Sequence, residues 1–512
     1  MRAKSLLFQP QSITRDEIPA RAAPDEWTDM RNMRFLNGIA TQVRGESEVF
    51  PGNTLGAAVA TFGFMNADLY RFVYSTAAAL GAWNGSGLTT ITPAGYPTGI
   101  VPGGPSATLL NGICVLATGK SQPYSWAPSY AGAALPLTGW QSGWTCGGIA
   151  ALRYHLIAFD MTEGAVRNEQ LVRWSNSAAP GALPTEWLAT TTNDAGSFAL
   201  ATFSGRILTA RNMGEQLIIY KARSTYAMEY IGGVQVMMQR LIFSDTGALS
   251  RNCIHEVDGR HFVVAQGDII LHDGATARSL ISKKLRAWLF NRLDFSKTAS
   301  VFVARDMRRN EMLVAYPING SGGACVEAII WNWRDDKIGV RDLAKSNHAF
   351  QGLLQVASIT RTWDAVTTSW DTDANQWDEG AGESEGLAMT IAAQDGKFYA
   401  LDSGALIGGA SFTARVEKDT FALAEGQRVN INRLRPRMQG TTGQVLNIRV
   451  GVQDDASDPI SWGPVEPFIV GTTEAVDIRA AGRYASVSVE SFAAQPWRIE
   501  GFEIDISAGG TR

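Results

Sequence analysis

Cysteine is scarce in this chain. Only four occur in 512 residues, Cys114, Cys146, Cys253 and Cys325, and no two are spaced as CxxC. That excludes a disulfide framework and a zinc knuckle, and the four read as small buried hydrophobes in a reducing compartment. Charge is also sparse, at 18% of residues with a net of −4, so no bulk electrostatic pull toward nucleic acid or anionic lipid is expected. No apolar run approaches the roughly 20 residues that cross a bilayer, so no stable membrane insertion is expected. The opening "MRAKSLLFQPQSITRDE" has too short an apolar patch for a secretory signal. Nucleophile elbow, P-loop, Rossmann fingerprint and HExxH are all missing. No enzyme, cofactor or resident metal is therefore expected.

Present instead are 45% hydrophobic residues and 52 glycines, a balance that favours short strands and tight turns. One pattern recurs: a short apolar strand, an aromatic or His, a turn, then another strand. It centres on Trp83, Trp126, Trp174, Tyr220, His272, Trp333 and Tyr399. "HFVVAQGDIILHDG" shows the hairpin best, with strands over Phe262–Ala265 and Asp268–Leu271. One hairpin cannot bury its apolar face alone, whereas a ring of them can, and closure removes exposed edges. The spacing predicts an all-β fold, a β-propeller of six or seven blades over residues 57–404. Beyond 405 the repeat stops, and alternating segments such as "QVLNIRVGVQDD" predict a small β-sandwich over 405–512. Ile281, Leu285, Trp288, Leu289 and Leu293 recur at helical spacing, which predicts one amphipathic helix.

"RTWDAVTTSWDTDANQWDEG", residues 361–380, holds Trp363, Trp370 and Trp377 seven apart. One apolar position per heptad rules out a coiled coil, and an odd spacing rules out one strand face. A run of turns inserted in the propeller is expected, its rings packed on this chain or on a neighbour. Within it, Asp371, Asp373 and Asn375 occupy the first ligand positions of a calcium loop, but Gln376 and Gly382 stand where that loop needs Gly and Glu. Cys253, His255, Glu256 and His261 lie close in sequence and invite comparison with a metal site, although the turn at Gly259 separates the histidines. His155, in "ALRYHLIAF", reads as a core histidine. Arg308 and Arg309, and alternating Arg433, Arg435 and Arg437, lack interleaved aromatics, so solvated or subunit-pairing faces are expected rather than a nucleic-acid site.

The segment Asp25–Gly52, "DEWTDMRNMRFLNGIATQVRGESEVFPG", resembles the N-terminal signature of the tail nozzle proteins of short-tailed bacteriophages, also called tail tubular protein B or packaged-DNA stabilisation proteins. Trp27, Thr28, Asp29, Arg31, Asn32, Phe35, Gly38 and Gly45 carry the match. "IIYKARSTYAMEYIGG" and "GALSRNCIHEVDGRHFVVAQGDIILHDG" are similar to the family's central blades. The resemblance implies a platform built from both chain ends, with residues 1–56 joining 405–512. It also implies a homo-hexameric ring in the virion tail, assembled in the host cytoplasm. The ring would meet an adaptor ring and tail fibres or tailspikes, and double-stranded DNA would pass through without sequence-specific binding. Trp27, Arg31, Phe35, Trp363, Trp370 and Trp377 are the candidate partner-binding residues. The alternatives are a propeller that binds or cleaves glycans, with Asp160, Asp258, Asp306 and Glu311 as its carboxylates, and a receptor-binding tail component.

Overall fold

The computed structural model describes residues 4–66, 69–85, 87–127, 129, 132–233, 235–282, 284–355, 385–424, 427–492 and 495–508. Trp363, Trp370, Trp377 and the acidic turn around Asp371 lie outside the described residues.

The fold is all-β. Five separate four-stranded antiparallel sheets follow one another along the chain, here blades I to V. Their first strands are Ala58–Asn66, Ser106–Leu110, Thr145–Leu152, Ile207–Met213 and Ile254–Val257. Blades VI and VII share the 19-residue strand Lys337–Gln355. Its first half closes blade VI against Cys325–Asn332, and its second half opens blade VII against Glu385–Ala393. Among the described residues the propeller therefore has seven blades.

Ring closure is visible in the packing. Each neighbouring pair of blades has its own apolar layer. Val73 and Trp126 lie between blades I and II, Val115 and Trp187 between II and III, and Trp174 and Ile219 between III and IV. Ile218 and Val263 join IV to V, Phe262 and Trp331 join V to VI, and Phe302 and Ile391 join VI to VII. Phe72 with Phe398 returns from VII to I. Second strands of the blades are covered on both faces, which is why "HLIAF" at His155 and "EMLVAYP" at Glu311 are apolar runs without alternation.

Residues 1–56 do not all belong to the platform. Gly45–Val49 is the outer strand of blade VII, paired with Phe398–Gly404, so an N-terminal strand closes the ring that the later chain builds. Only glycine fits this seam. A Cβ at Gly45 would lie 2.5 Å from the Leu406 backbone nitrogen, and one at Gly404 would lie 2.0 Å from the Glu46 carbonyl oxygen.

The sandwich is made from both chain ends. One sheet continues blade VI outward: Met33–Leu36 pairs with Lys337–Gln355 at Val340, then come Ile39–Gln42, Trp497–Ala508, Val429–Gly440 and Val476–Gly482, with Lys4–Phe8 also on Trp497–Ala508. The facing sheet holds Asp29–Arg31, Ala414–Ala422, Tyr484–Ser491 and Val445–Gln453. Ala414–Ala422 alternates buried and half-buried residues, as a sandwich strand should. Its core, including Val416, Ile448, Val489, Phe502 and Ile504, is continuous with the layer between blades V and VI.

The helix is shorter than its apolar spacing suggests, spanning Arg286–Arg292. Ile281, Leu285, Leu289 and Leu293 are buried as that spacing requires, but the turn ahead of the helix already supplies Ile281. Distant Asp16 caps its start, accepting from the amides of Ala287 at 2.8 Å and Trp288 at 2.9 Å.

Candidate functional site

The candidate partner-binding residues of the N-terminal segment mostly face inward. Trp27 is fully buried, its ring 6.0 Å from Phe502, and Phe35 is 1% exposed. Neither ring is available to a partner, because both fill the sandwich core. Arg31 alone reaches solvent, and it pairs with Asp342 at 3.0 Å. The other residues of the segment stitch the chain ends together. Thr28 donates its hydroxyl to the Glu417 carbonyl at 3.0 Å and accepts from the Asp419 amide at 2.9 Å. Asp29 pairs with Arg15 and Arg415. Asn32 is buried at φ 53°. Its amide donates to Asp342 Oδ2 and the Thr413 carbonyl, both at 2.8 Å, and its Oδ1 accepts from the Asp342 amide at 2.7 Å. Asn37 and Gly38, both at positive φ, make the tight hairpin turn between Met33–Leu36 and Ile39–Gln42.

Where this segment meets the propeller lies a buried ionic cluster. Arg34 donates to Glu311 at 2.8 Å and to Asp402 at 2.5 Å, all three side chains 5% exposed or less. Arg341 reaches Asp402 at 3.2 Å, and Arg309 reaches Asp306 at 3.4 Å. Burial opposes ionisation of Asp402, but Arg34, Arg341 and Arg309 outweigh it and hold its carboxyl well below the usual range. Glu311 goes the other way. Burial pushes it up to about 7, Arg34 lowers it, and the charges of Asp402 and Asp306 raise it again. A carboxyl raised in the folded state contributes stability that is complete below its unfolded value and is lost as pH rises through about 7. Comparing wild type with Glu311→Gln isolates that contribution. Urea melts are expected to show the difference shifting against the wild type by about 2 kcal/mol between pH 5 and 8. A pH-independent difference would contradict it.

Blades IV and V are joined by a directional chain of neutral groups. The Gly274 amide donates to His272 Nδ1 at 3.2 Å, so His272 Nε2 carries the proton that reaches Tyr220 Oη at 2.6 Å. Tyr220 donates onward to His261 Nδ1 at 2.7 Å, and His261 Nε2 donates to the Asn212 carbonyl at 2.9 Å. Burial first holds both histidines down at about 4. His261 is thus spent on blade packing, away from His255, and no group of three or more metal-ligating side chains gathers among the described residues. His155 is a core histidine, fully buried with Nδ1 donating to the Ser175 carbonyl at 2.8 Å.

The propeller hub holds a cavity of about 490 Å³, lined mostly from the first strands of six blades. Its polar wall is Arg211, Asn212, Asn252, His255, Glu256, Arg305 and His348, and Phe62, Phe64, Leu109 and Phe350 make the apolar wall. Burial lowers His255 to about 4, and Arg211 and Arg305 add to the effect against the opposing hydrogen bond and charge of Glu256. Among the described residues Glu256 is the one carboxylate on the wall. The carboxylates weighed as a glycan-cleaving pair lie elsewhere. Asp160 is held by Arg167 at 2.9–3.0 Å, Asp258 sits in a turn at φ 48°, and Asp306 and Glu311 belong to the ionic cluster. The hub could not be read from sequence, because its residues come from six separated strands. The one legible signal is Arg211 interrupting the apolar strand "ILTARNM".

The basic clusters are occupied within the chain. Arg433 meets Asp477 and Arg435 meets Asp505, each at 2.9 Å, and Arg437 meets Glu503, so this sheet face is a ladder of opposite charges. Arg309 is bound to Asp306.

No protein-family model matches the chain, and no curated protein matches it. Solved structures give distant likenesses. One is the extracellular domain of a one component system from B. thetaiotaomicron, at 9% identity and a TM-score of 0.38, with 82% of this chain covering 47% of that one. Another is the WD40 β-propeller domain of Doa1, at 9% identity and a TM-score of 0.39, with 70% of this chain covering 97% of that one. The chain thus spans about half the length of the first. At these scores the likenesses carry nothing about function, and the blade count rests on sheet order and packing alone.

Proposed function

We propose that the chain is a structural component of a short bacteriophage tail, a nozzle subunit that assembles into a six-fold ring around the path of the DNA. The observation that carries this reading is the behaviour of Asp25–Gly52. The segment resembling the nozzle signature supplies two strands to one sandwich sheet and one to the other, the buried Arg34 to the ionic cluster, and Gly45–Val49 to blade VII. Its residues therefore build the platform-and-propeller design that the resemblance implies. Two further features agree. The hub, at about 490 Å³, is far too small for a duplex, so any DNA path runs between copies. The Arg433–Arg435–Arg437 face is self-neutralised, and a conduit wall that does not grip phosphate lets DNA pass.

In this reading the chain recruits no cofactor and catalyses nothing. The platform meets the adaptor ring, and fibres or tailspikes attach outside. Light scattering on the full chain, alone and mixed with connector particles, tests it. The expected mass is six times the 55.2 kDa of one chain. A persistent monomer that binds or cleaves oligosaccharides would replace this reading with the glycan-directed one.

A further inference from the structure

We propose that the hub cavity is a binding site for a small organic carboxylate, a function separate from ring assembly. The cavity volume, about 490 Å³, falls in the range of small-molecule sites, roughly 300–1,000 Å³. Its composition is also that of such a site, with aromatic and aliphatic walls and a few convergent polar groups.

The decisive group is Arg211, on the first strand of blade IV. No hydrogen bond or ion pair engages its guanidinium among the described residues, although every other cation on this wall is engaged. Arg305 donates to the Glu256 carbonyl at 3.2 Å and lies 3.4 Å from its carboxylate. Glu256 in turn accepts from the Gly259 amide at 2.8 Å. Enclosure by the ring desolvates Arg211 and lowers its pKa. The side chain is half-buried at the cavity wall, and its planar fork suits a carboxylate bidentately.

The histidines complete the polarity. His348 Nδ1 accepts from the Thr61 amide at 3.3 Å and meets Thr61 Oγ1 at 2.8 Å, which leaves its Nε2–H as a donor. His255 Nδ1 donates to the Glu256 carbonyl at 3.1 Å. The charged and titratable groups on the wall are Arg211, Arg305, Glu256, His255 and His348, together with the Cys114 thiol, which burial pushes up to about 12. With both histidines neutral the wall carries one net positive charge, which a monocarboxylate balances and a phosphate dianion overshoots. Phe62, Phe64 and Phe350 offer the ligand's body an apolar bed.

Calorimetric titration of the full chain tests this with acetate, butyrate, benzoate and 1-naphthoate, with benzamide as the neutral control and inorganic phosphate as the competing anion. Benzoate or naphthoate is expected to bind at least tenfold more tightly than benzamide and than phosphate. Arg211→Gln is expected to weaken that binding at least tenfold and Arg211→Lys less. The melting temperature of Arg211→Gln is expected not to fall, because the substitution removes an uncompensated charge. Carboxylate affinity is also expected to rise from pH 7 to pH 5, since a bound anion favours protonated His255 and His348. The inference is overturned if no carboxylate outbinds benzamide, if phosphate binds most tightly, or if Arg211→Gln binds as the wild type does. Each failure would leave the ring mass unchanged, so it is distinguishable from failure of the nozzle reading.

Discussion

Asn32→Ala is expected to destabilise the protein by about 4 kcal/mol. Three hydrogen bonds are lost, each worth about 1 kcal/mol, and alanine takes on a left-handed backbone at a further 1–2 kcal/mol. The position is unusually exacting. The side chain must donate to Asp342 and to the Thr413 carbonyl while accepting from the Asp342 amide, and only an amide does all three. Asn32→Gly separates the two effects, because glycine keeps the φ of 53° without strain, and about 3 kcal/mol is expected. Asn32→Asp keeps the acceptor but sets a second carboxylate against Asp342, and about the same loss as with alanine is expected. Urea unfolding monitored by tryptophan fluorescence measures all three. A loss below about 1 kcal/mol for alanine would mean that the chain ends are held by apolar packing alone.

Tyr220→Phe is expected to cost about 3 kcal/mol, a large effect for the loss of one oxygen. The hydroxyl is both a donor to His261 and an acceptor from His272. Removing it strands two buried ring nitrogens, each at about 1–3 kcal/mol. Acid adds a second readout. His261 and His272 sit at about 4 when folded, below the 6.5 of a free histidine, so the unfolded chain takes up protons first as pH falls. Their stabilisation is complete above about pH 6.5 and is lost as pH drops toward 4. Glu311 works in the opposite sense over an overlapping window, so each must be read as a difference from its own single variant. Thermal melts at pH 7 and 5 test both points. A Tyr220→Phe protein as stable as wild type at pH 7 would contradict the directional chain.

The blades were legible because their chemistry is local. A hairpin such as Arg260–Ala265 with Asp268–His272 is written in consecutive residues, apolar on both faces with glycine at the turn. The sandwich was legible for the same reason, since strands such as Ala414–Ala422 alternate. What failed to show was where separated segments meet. Gly45–Val49 gives no sign in its own residues that it closes a sheet begun some 300 residues later, beyond the fit of Gly45 to a backbone seam. Trp27 and Phe35 were candidate partner-binding residues through the resemblance of their segment to the nozzle signature. Their burial came from the C-terminal strands that cover them, and nothing near them in sequence announces those strands. The hub is the extreme case. Arg211, His255, Arg305 and His348 come from four different blades, so each reads as an ordinary strand residue until the ring brings them together.

Electron-microscopy class averages of the assembled full chain test most directly whether this molecule works by shape. The expected image is a six-fold ring of propeller-bearing subunits, its axis open wide enough for a DNA duplex and lined by surfaces between copies rather than by any one hub. Isolated monomers on the connector, or a ring whose axis is filled by protein, would contradict it.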